Sequence, residues 1–236
     1  MNTPYVKQLF VGKVKQVGNP NATIPMDKLW ESGMFKEGTI EKVWLSKTGL
    51  VGDEVADKKN HGGPEKAVFT YSTKHYDFWK NEQNIEAMHV GGFGENLAIE
   101  NMDENSVCIG DSYQFGEAVI QVSQPRRPCW KPARRFRTMD LALRIQNSGR
   151  TGWYFRVIKE GIVQGGEVLT LLERPYPEWT IAKCNEVMYD KKDDLDLAEK
   201  LAACELLAEN WKQTLYKRLA GKESDSGNRV FGPNKG

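Results

Sequence analysis

GDSYQFGEAVIQVSQPRRPC, Gly110–Cys129, decides the reading of the fold. Val107–Phe115 (VCIGDSYQF) and Glu117–Ser123 (EAVIQVS) are short runs rich in β-branched and aromatic residues, bounded by Gly, Asp or Pro, and they read as strands. Similar runs occur at 6–17, 40–46, 66–71, 153–158 and 167–172. Several short strands with turn residues between them predict a mainly β chain, a barrel or a sandwich. Two helices interrupt it. One is capped by Ser72 or Thr73 ahead of KHYDFWKNE, and the other runs from Thr138 to a stop at Gly149.

After Pro175 and Pro177 the periodicity changes. Residues 180–189, 195–203 and 205–219 carry helical patterns, with Leu207, Trp211, Leu215 and Leu219 along one stripe. Helices this short do not persist alone, so a small bundle is expected. The division is a β domain over 1–176, three helices over 177–221, and a polar, glycine-rich tail over 222–236 expected to be flexible and to fray.

The 236 residues are 28% charged and 39% hydrophobic, with a mean hydropathy of −0.59. That is ordinary globular composition, which excludes disordered, collagenous and membrane-embedded classes. Net charge is only +1, yet the stretch from Arg126 to Lys159 holds ten basic residues and one acid, Asp140, for a local charge of +9. Such asymmetry points to a specific anion site. No apolar run approaches the ~18 residues of a membrane span. No secretory h-region is visible and none of the four cysteines forms a C-x-x-C pair, so a reduced, cytoplasmic protein is expected, with no membrane partner.

Three segments carry candidate chemistry. In SQPRRPCWKP, Ser123–Pro132, prolines 125, 128 and 132 oppose regular helix or central strand, so a stiff loop should hold Cys129. Arg126, Arg127 and Lys131 surround it with positive charge, which favours the reactive thiolate. The bland alternative is a buried, inert thiol, the reading preferred for Cys108, Cys184 and Cys204. In the second segment His61 precedes Gly62, Gly63 and Pro64. That is either an anion-binding nest beside an imidazole or a plain turn. The third, GGFGENL, lacks the last glycine of a dinucleotide loop, and Glu95 or Asn96 organising a loop is preferred. Trp130, Phe136, Trp153, Tyr154 and Phe155 could make an RNA surface with the basic stretch, but they fall in strand-like core runs, so no nucleic-acid partner is expected.

Taken in order, GLVGD, NHGGPEKAV, FGENL, GDSYQFGEAVIQVSQPRRPC and NSGRTGWYFRV resemble the MOSC domain family, named for the C-terminal domain of molybdenum-cofactor sulfurases, and within it the YiiM-like bacterial branch. The resemblance covers about residues 11–219. It implies a mostly antiparallel MOSC-type β-barrel with a few helices, followed by a small α-helical bundle. It implies a molybdopterin-type molybdenum cofactor, and pyridoxal phosphate as a weaker family-level association. The implied activity is reduction of N-hydroxylated compounds of the 6-N-hydroxylaminopurine type to amines, with electrons from a separate reductase; a homodimer is an allowed assembly. The implied catalytic set is Lys36, Ser46 ten residues later in place of the family's threonine, and Cys129, which would also ligate the metal. His61 and Arg150 match anion-binding positions, with Gly62, Gly63, Arg126 and Arg127 beside them. Two rival expectations are a persulfide on Cys129 for sulfur transfer, and a non-enzymatic cofactor carrier.

Overall fold

The computed structural model describes residues 3–222 and 225–235. Thirteen strands are formed: β1 (Tyr5–Val11), β2 (Lys15–Val17), β3 (Trp30–Ser32), β4 (Glu37–Thr39), β5 (Val43–Ser46), β6 (Gly49–Leu50), β7 (Val68–Ser72), β8 (Leu97–Glu100), β9 (Ser112–Phe115), β10 (Ala118–Pro125), β11 (Trp153–Lys159), β12 (Gly161–Val163) and β13 (Leu169–Glu173). Eight of them make one curled sheet in the order β13-β9-β10-β11-β7-β8-β1-β4. All its pairs are antiparallel except β7 with β8. The curl brings residues 166–169 back to β1. The Val6 amide donates to the Glu167 carbonyl at 2.9 Å and the Leu169 amide to the Pro4 carbonyl at 2.9 Å. The expected barrel is therefore present as a nearly closed half-barrel, with β12-β5-β6 as a small second sheet.

The central strands β7, β8 and the first part of β11 are buried on both faces. Trp153 and Phe155 on β11 and Val68 on β7 enter the barrel core, while Tyr154 and Phe69 point to a second cluster outside it. The two-residue period of a strand makes this division. Helix α1 (Lys58–His61) buries no residue, and the outer cluster is covered by α2 (His75–Asp77, continued as a π-turn over Phe78–Glu82), α3 (Lys131–Phe136) and α4 (Leu141–Ser148). Gly149 ends α4 in the left-handed region, φ 68°, as its position in the sequence predicts.

The C-terminal helices are α5 (Ile181–Asn185, continued as a π-turn to Asp190), α6 (Leu195–Ala202) and α7 (Glu209–Leu219). They do not own a separate core. Ile181, Cys184, Leu201, Trp211 and Leu215 belong to the same buried cluster as the barrel interior. Trp211 Nε1 also donates to the Pro125 carbonyl at the end of β10, at 3.1 Å.

Four expectations need correction. Strand pairing runs through Pro125 and helix α3 begins at Lys131, so the stiff loop is only residues 126–130. Proline is tolerated at both places because one lies at a strand end and the other, Pro132, in a first helical turn. Cys108 sits in an isolated bridge to Thr180, ahead of β9 rather than inside it. The tail does not fray over 225–235: α8 (Gly227–Val230) and a 3₁₀ turn (Gly232–Asn234) dock with Val230 and Asn234 buried. The basic stretch does not stay together. Arg156 pairs with Glu65 at 2.5 Å and Arg144 with Asp140 at 3.0 Å, while Arg150 stacks on Phe78 with 3.7 Å to the ring centre.

Because the helices share the barrel's core, urea should unfold the chain in one transition. Trp211→Ala should lower its stability by about 3–5 kcal/mol without splitting that transition. Two separated transitions in the wild type would show the helices to be an independent unit.

Candidate functional site

One cavity of about 120 Å³ opens between the barrel rim and loop 126–130, and Cys129, His61, Lys36 and Arg126 all line it. Each arrives from a different element. Cys129 follows β10, with the loop's first amide, Arg126 N–H, donating to the Gly152 carbonyl at 2.9 Å. His61 is the last residue of α1, whose cap is Asp57 accepting from the Asn60 amide at 3.0 Å. Lys36 lies just before β4. Phe69, Phe93 and Tyr154 supply the apolar wall. Gly94 on that wall has φ +79°, and a Cβ there would stand 2.6 Å from Met34 Cβ, so only glycine fits the turn.

The four thiols divide sharply. Burial pushes Cys108 up to about 11 and Cys184 far above its usual value, and raises Cys204. Burial also pushes Cys129 up, but there it is outweighed by the charge and hydrogen bond of His61, the charge of Arg126 and a bond from the Lys131 amide, leaving the thiol at about 6. Cys129 is thus a thiolate near neutral pH. Arg126 is 4% exposed and stacks on Phe69, 5.0 Å from its ring centre. Its Nη1 is buried without a hydrogen-bond partner.

Lys36 is buried and paired with Asp53. Burial lowers its pKa and Asp53 only partly restores it. Asp53 is fixed from two further sides, by the Gly12 amide at 3.0 Å and by Asn96 Nδ2 at 2.8 Å. Asn96 also accepts from the Phe69 amide at 3.1 Å and donates to the Phe10 carbonyl at 3.3 Å, which makes it the loop organiser expected of GGFGENL. Glu95 holds the same loop by accepting from the Gly91 amide at 2.7 Å and from Tyr76.

Not every expected residue reaches the cavity. Ser46 turns away and donates to the Gly49 carbonyl at 2.8 Å; the hydroxyl on the cavity wall belongs to Thr48. The β5–β6 hairpin explains this, since two residues along the turn move a side chain to the rim. Arg150 lies in a different depression with Phe78 and Glu104. Arg127 points the opposite way from Arg126 and donates to Thr214 on α7 at 2.9 Å. Gly62 and Gly63 form the turn between α1 and the 3₁₀ turn at Pro64–Lys66, and the side chains delivered to the cavity are His61 and Lys66. Asp53, Thr48 and Lys66 were not singled out in the sequence. Asp53 and Lys66 lay within quoted motifs, GLVGD and NHGGPEKAV, but no local pattern marked them.

The rate at which a small alkylating reagent modifies Cys129 should rise with pH through an inflection at about 6. In His61→Ala that inflection should move upward, because burial is then opposed by fewer positive groups. A wild-type inflection near the ~8.5 of an ordinary thiol would remove the His61–Cys129 pairing.

Residues 57–170 match the MOSC domain, and residues 179–222 match the YiiM-like, 3-alpha helix domain. Protein YiiM of Escherichia coli (strain K12) is 37% identical over 194 residues, covering 81% of this chain and 86% of that one. A protein named "Reductase" from Gibberella moniliformis (strain M3125 / FGSC 7600) is 40% identical over 176 residues, 73% of this chain but 31% of its own length. The crystal structure of YiiM from Geobacillus stearothermophilus superposes with a TM-score of 0.75 at 31% identity, over 92% of this chain and 99% of that one. The chain therefore belongs to the MOSC domain family, in the branch with a YiiM-like three-helix domain.

Proposed function

We propose that this protein is a molybdenum-cofactor-dependent reductase that converts N-hydroxylated compounds, bases of the 6-N-hydroxylaminopurine type, to their amines. The observation that carries this reading is a stabilised thiolate, Cys129, in a cavity that also presents a buried guanidinium with a free donor, Arg126 Nη1. The relative named "Reductase" supports redox chemistry.

The residues present fit such a group. A soft thiolate suits a sulfur-rich metal centre. Among the described residues no three His, Cys, Asp or Glu side chains converge to hold a metal by themselves, and a metal here would be held by Cys129 together with ligands that the cofactor brings. Arg126, with His61 and Lys66 on the same wall, would hold the cofactor's phosphate through charge-assisted hydrogen bonds. Phe69, Phe93 and Tyr154 offer flat apolar surface to its ring system or to a purine.

When bound, the cofactor supplies the two electrons of the change R–NHOH + 2e⁻ + 2H⁺ → R–NH₂ + H₂O, drawn from a separate reductase. The chain's own residues bind, orient and move protons. Lys36, its ammonium made more acidic by burial, donates a proton to the departing hydroxyl. Asp53, held by Gly12 and Asn96, keeps the Lys36 amine aimed. Thr48 at the mouth hydrogen-bonds the incoming polar group. Sulfur transfer through a persulfide rests on the same thiolate and differs in what Cys129 carries after isolation.

Protein made in a host competent for the molybdenum cofactor should contain molybdenum and reduce 6-N-hydroxylaminopurine when a reductase is supplied; Cys129→Ala should lose both. Equal molybdenum in the two proteins would remove Cys129 as the ligand, and cyanide-labile sulfur without molybdenum would favour sulfur transfer. Asp53→Asn should keep its molybdenum and lose turnover by roughly 10²-fold, at the low end of the usual 10²–10⁴ range for a proton-transfer group. Unchanged turnover would take Lys36 and Asp53 out of the chemistry.

A further inference from the structure

A second cavity, of about 190 Å³, lies on the other side of loop 126–130, where the loop, the end of the α5 segment, α7 and the docked tail meet. Four of the side chains lining it are cationic: Arg127, Arg229, Lys192 and Lys217. No carboxylate lines it among the described residues. Among the described residues the two guanidiniums are tied to neutral acceptors. Arg127 Nη1 donates to Thr214 Oγ1 at 2.9 Å, Arg229 Nη2 to Gln146 Oε1 at 2.9 Å, and Arg229 Nη1 to the Pro128 carbonyl. Arg127 Nε and Arg229 Nε are buried without a partner, and the buried Tyr189 hydroxyl lies beside the Arg127 guanidinium.

Arranging polar groups this way is costly. Two partly buried like charges repel, and each unmade buried hydrogen bond adds a desolvation penalty. Here two guanidiniums with unpartnered Nε donors border one void, and the void is several times the ~30 Å³ share of a single water. A ligand with several anionic oxygens would satisfy the donors and neutralise the repulsion together.

We propose that this cavity is a binding site for a phosphate group, distinct from the Cys129 cavity and built jointly by Arg127 of the loop and Arg229 of the tail. Its chemistry does not depend on the reductase reading. Phosphate there bridges the tail to the loop: Arg229 also receives the Trp130 amide on its carbonyl at 2.9 Å, and Asn234 donates to the Trp130 carbonyl at 3.1 Å. The group can come from inorganic phosphate or from a phosphorylated metabolite, which share the oxygens that the site reads.

The test is calorimetric titration of the full chain with inorganic phosphate and, separately, with ribose 5-phosphate. Saturable binding is expected, weakened roughly tenfold or more in Arg127→Gln and in Arg229→Gln, since a hydrogen bond to a charged group contributes about 1.5–3 kcal/mol. Binding should persist in Arg126→Gln, which alters only the other cavity. Equal affinity for the two probes would mark free phosphate as sufficient, and tighter ribose 5-phosphate a phosphorylated metabolite; both support the site. Tyr189→Phe, a variant that removes the hydroxyl beside Arg127 and little volume, should weaken binding several-fold with an unchanged near-ultraviolet circular dichroism spectrum, which guards against misfolding of the arginine variants. No saturable binding, or binding abolished by Arg126→Gln and untouched by Arg127→Gln, overturns the proposal.

Discussion

A charged sulfur in a nearly dry place is the constraint around which this molecule is arranged. Cys129 is 9% exposed, and burial by itself would keep it a neutral thiol. It is a thiolate because His61 and Arg126 stand beside it and the Lys131 amide points at it. Those partners must be held to within a fraction of an ångström, since charge compensation in a low dielectric fails when one partner withdraws. The loop is therefore fixed at both ends. Strand pairing holds it through Pro125, and α3 begins two residues after the cysteine. The tail adds a third hold on Trp130.

The curled sheet meets this demand because its central strands, β7, β8 and the first part of β11, are buried on both faces. Trp153 and Phe155 lock β11 into the barrel core, while Tyr154 between them turns outward and lines the Cys129 cavity. A strand packed on both sides cannot slip by one residue without reversing every one of these assignments. The C-terminal helices extend the same core, and Trp211 reaches the carbonyl of Pro125, the residue at which the loop departs. Helix packing and site rigidity are thus one mechanical system.

Arg126 and Arg127 show how an extended backbone spends two like residues in opposite directions. Arg126 lies over Phe69 and lines the thiolate cavity; Arg127 reaches Thr214 and the cavity beneath the tail. The remaining cations of the basic stretch are dispersed by α3, α4 and β11, and several are neutralised locally or bound to carbonyls. Lys131 donates to the Glu31 carbonyl at 2.8 Å. What looks in one dimension like a single positive patch becomes two separate guanidinium sites and a set of structural contacts.

The amino-acid order alone specified the short strands, the stop at Gly149, the helical trio and the one cysteine set among cations and prolines, because periodicity, turn chemistry and neighbouring charge are local properties. The MOSC resemblance was legible for the same reason, being carried by short contiguous motifs. The partnership of His61 with Cys129, of Lys36 with Asp53, and of Asn96 with Asp53 was not, since these residues are separated by tens of positions and meet only when the sheet curls. The family resemblance likewise implied Ser46 and Arg150, and hairpin geometry and the Phe78 ring took them elsewhere. The tail reads as solvent-exposed by composition, yet Arg229, Val230 and Asn234 dock it on the Cys129 loop. Only the folded chain could decide that, because a few well-placed contacts outweigh a polar average.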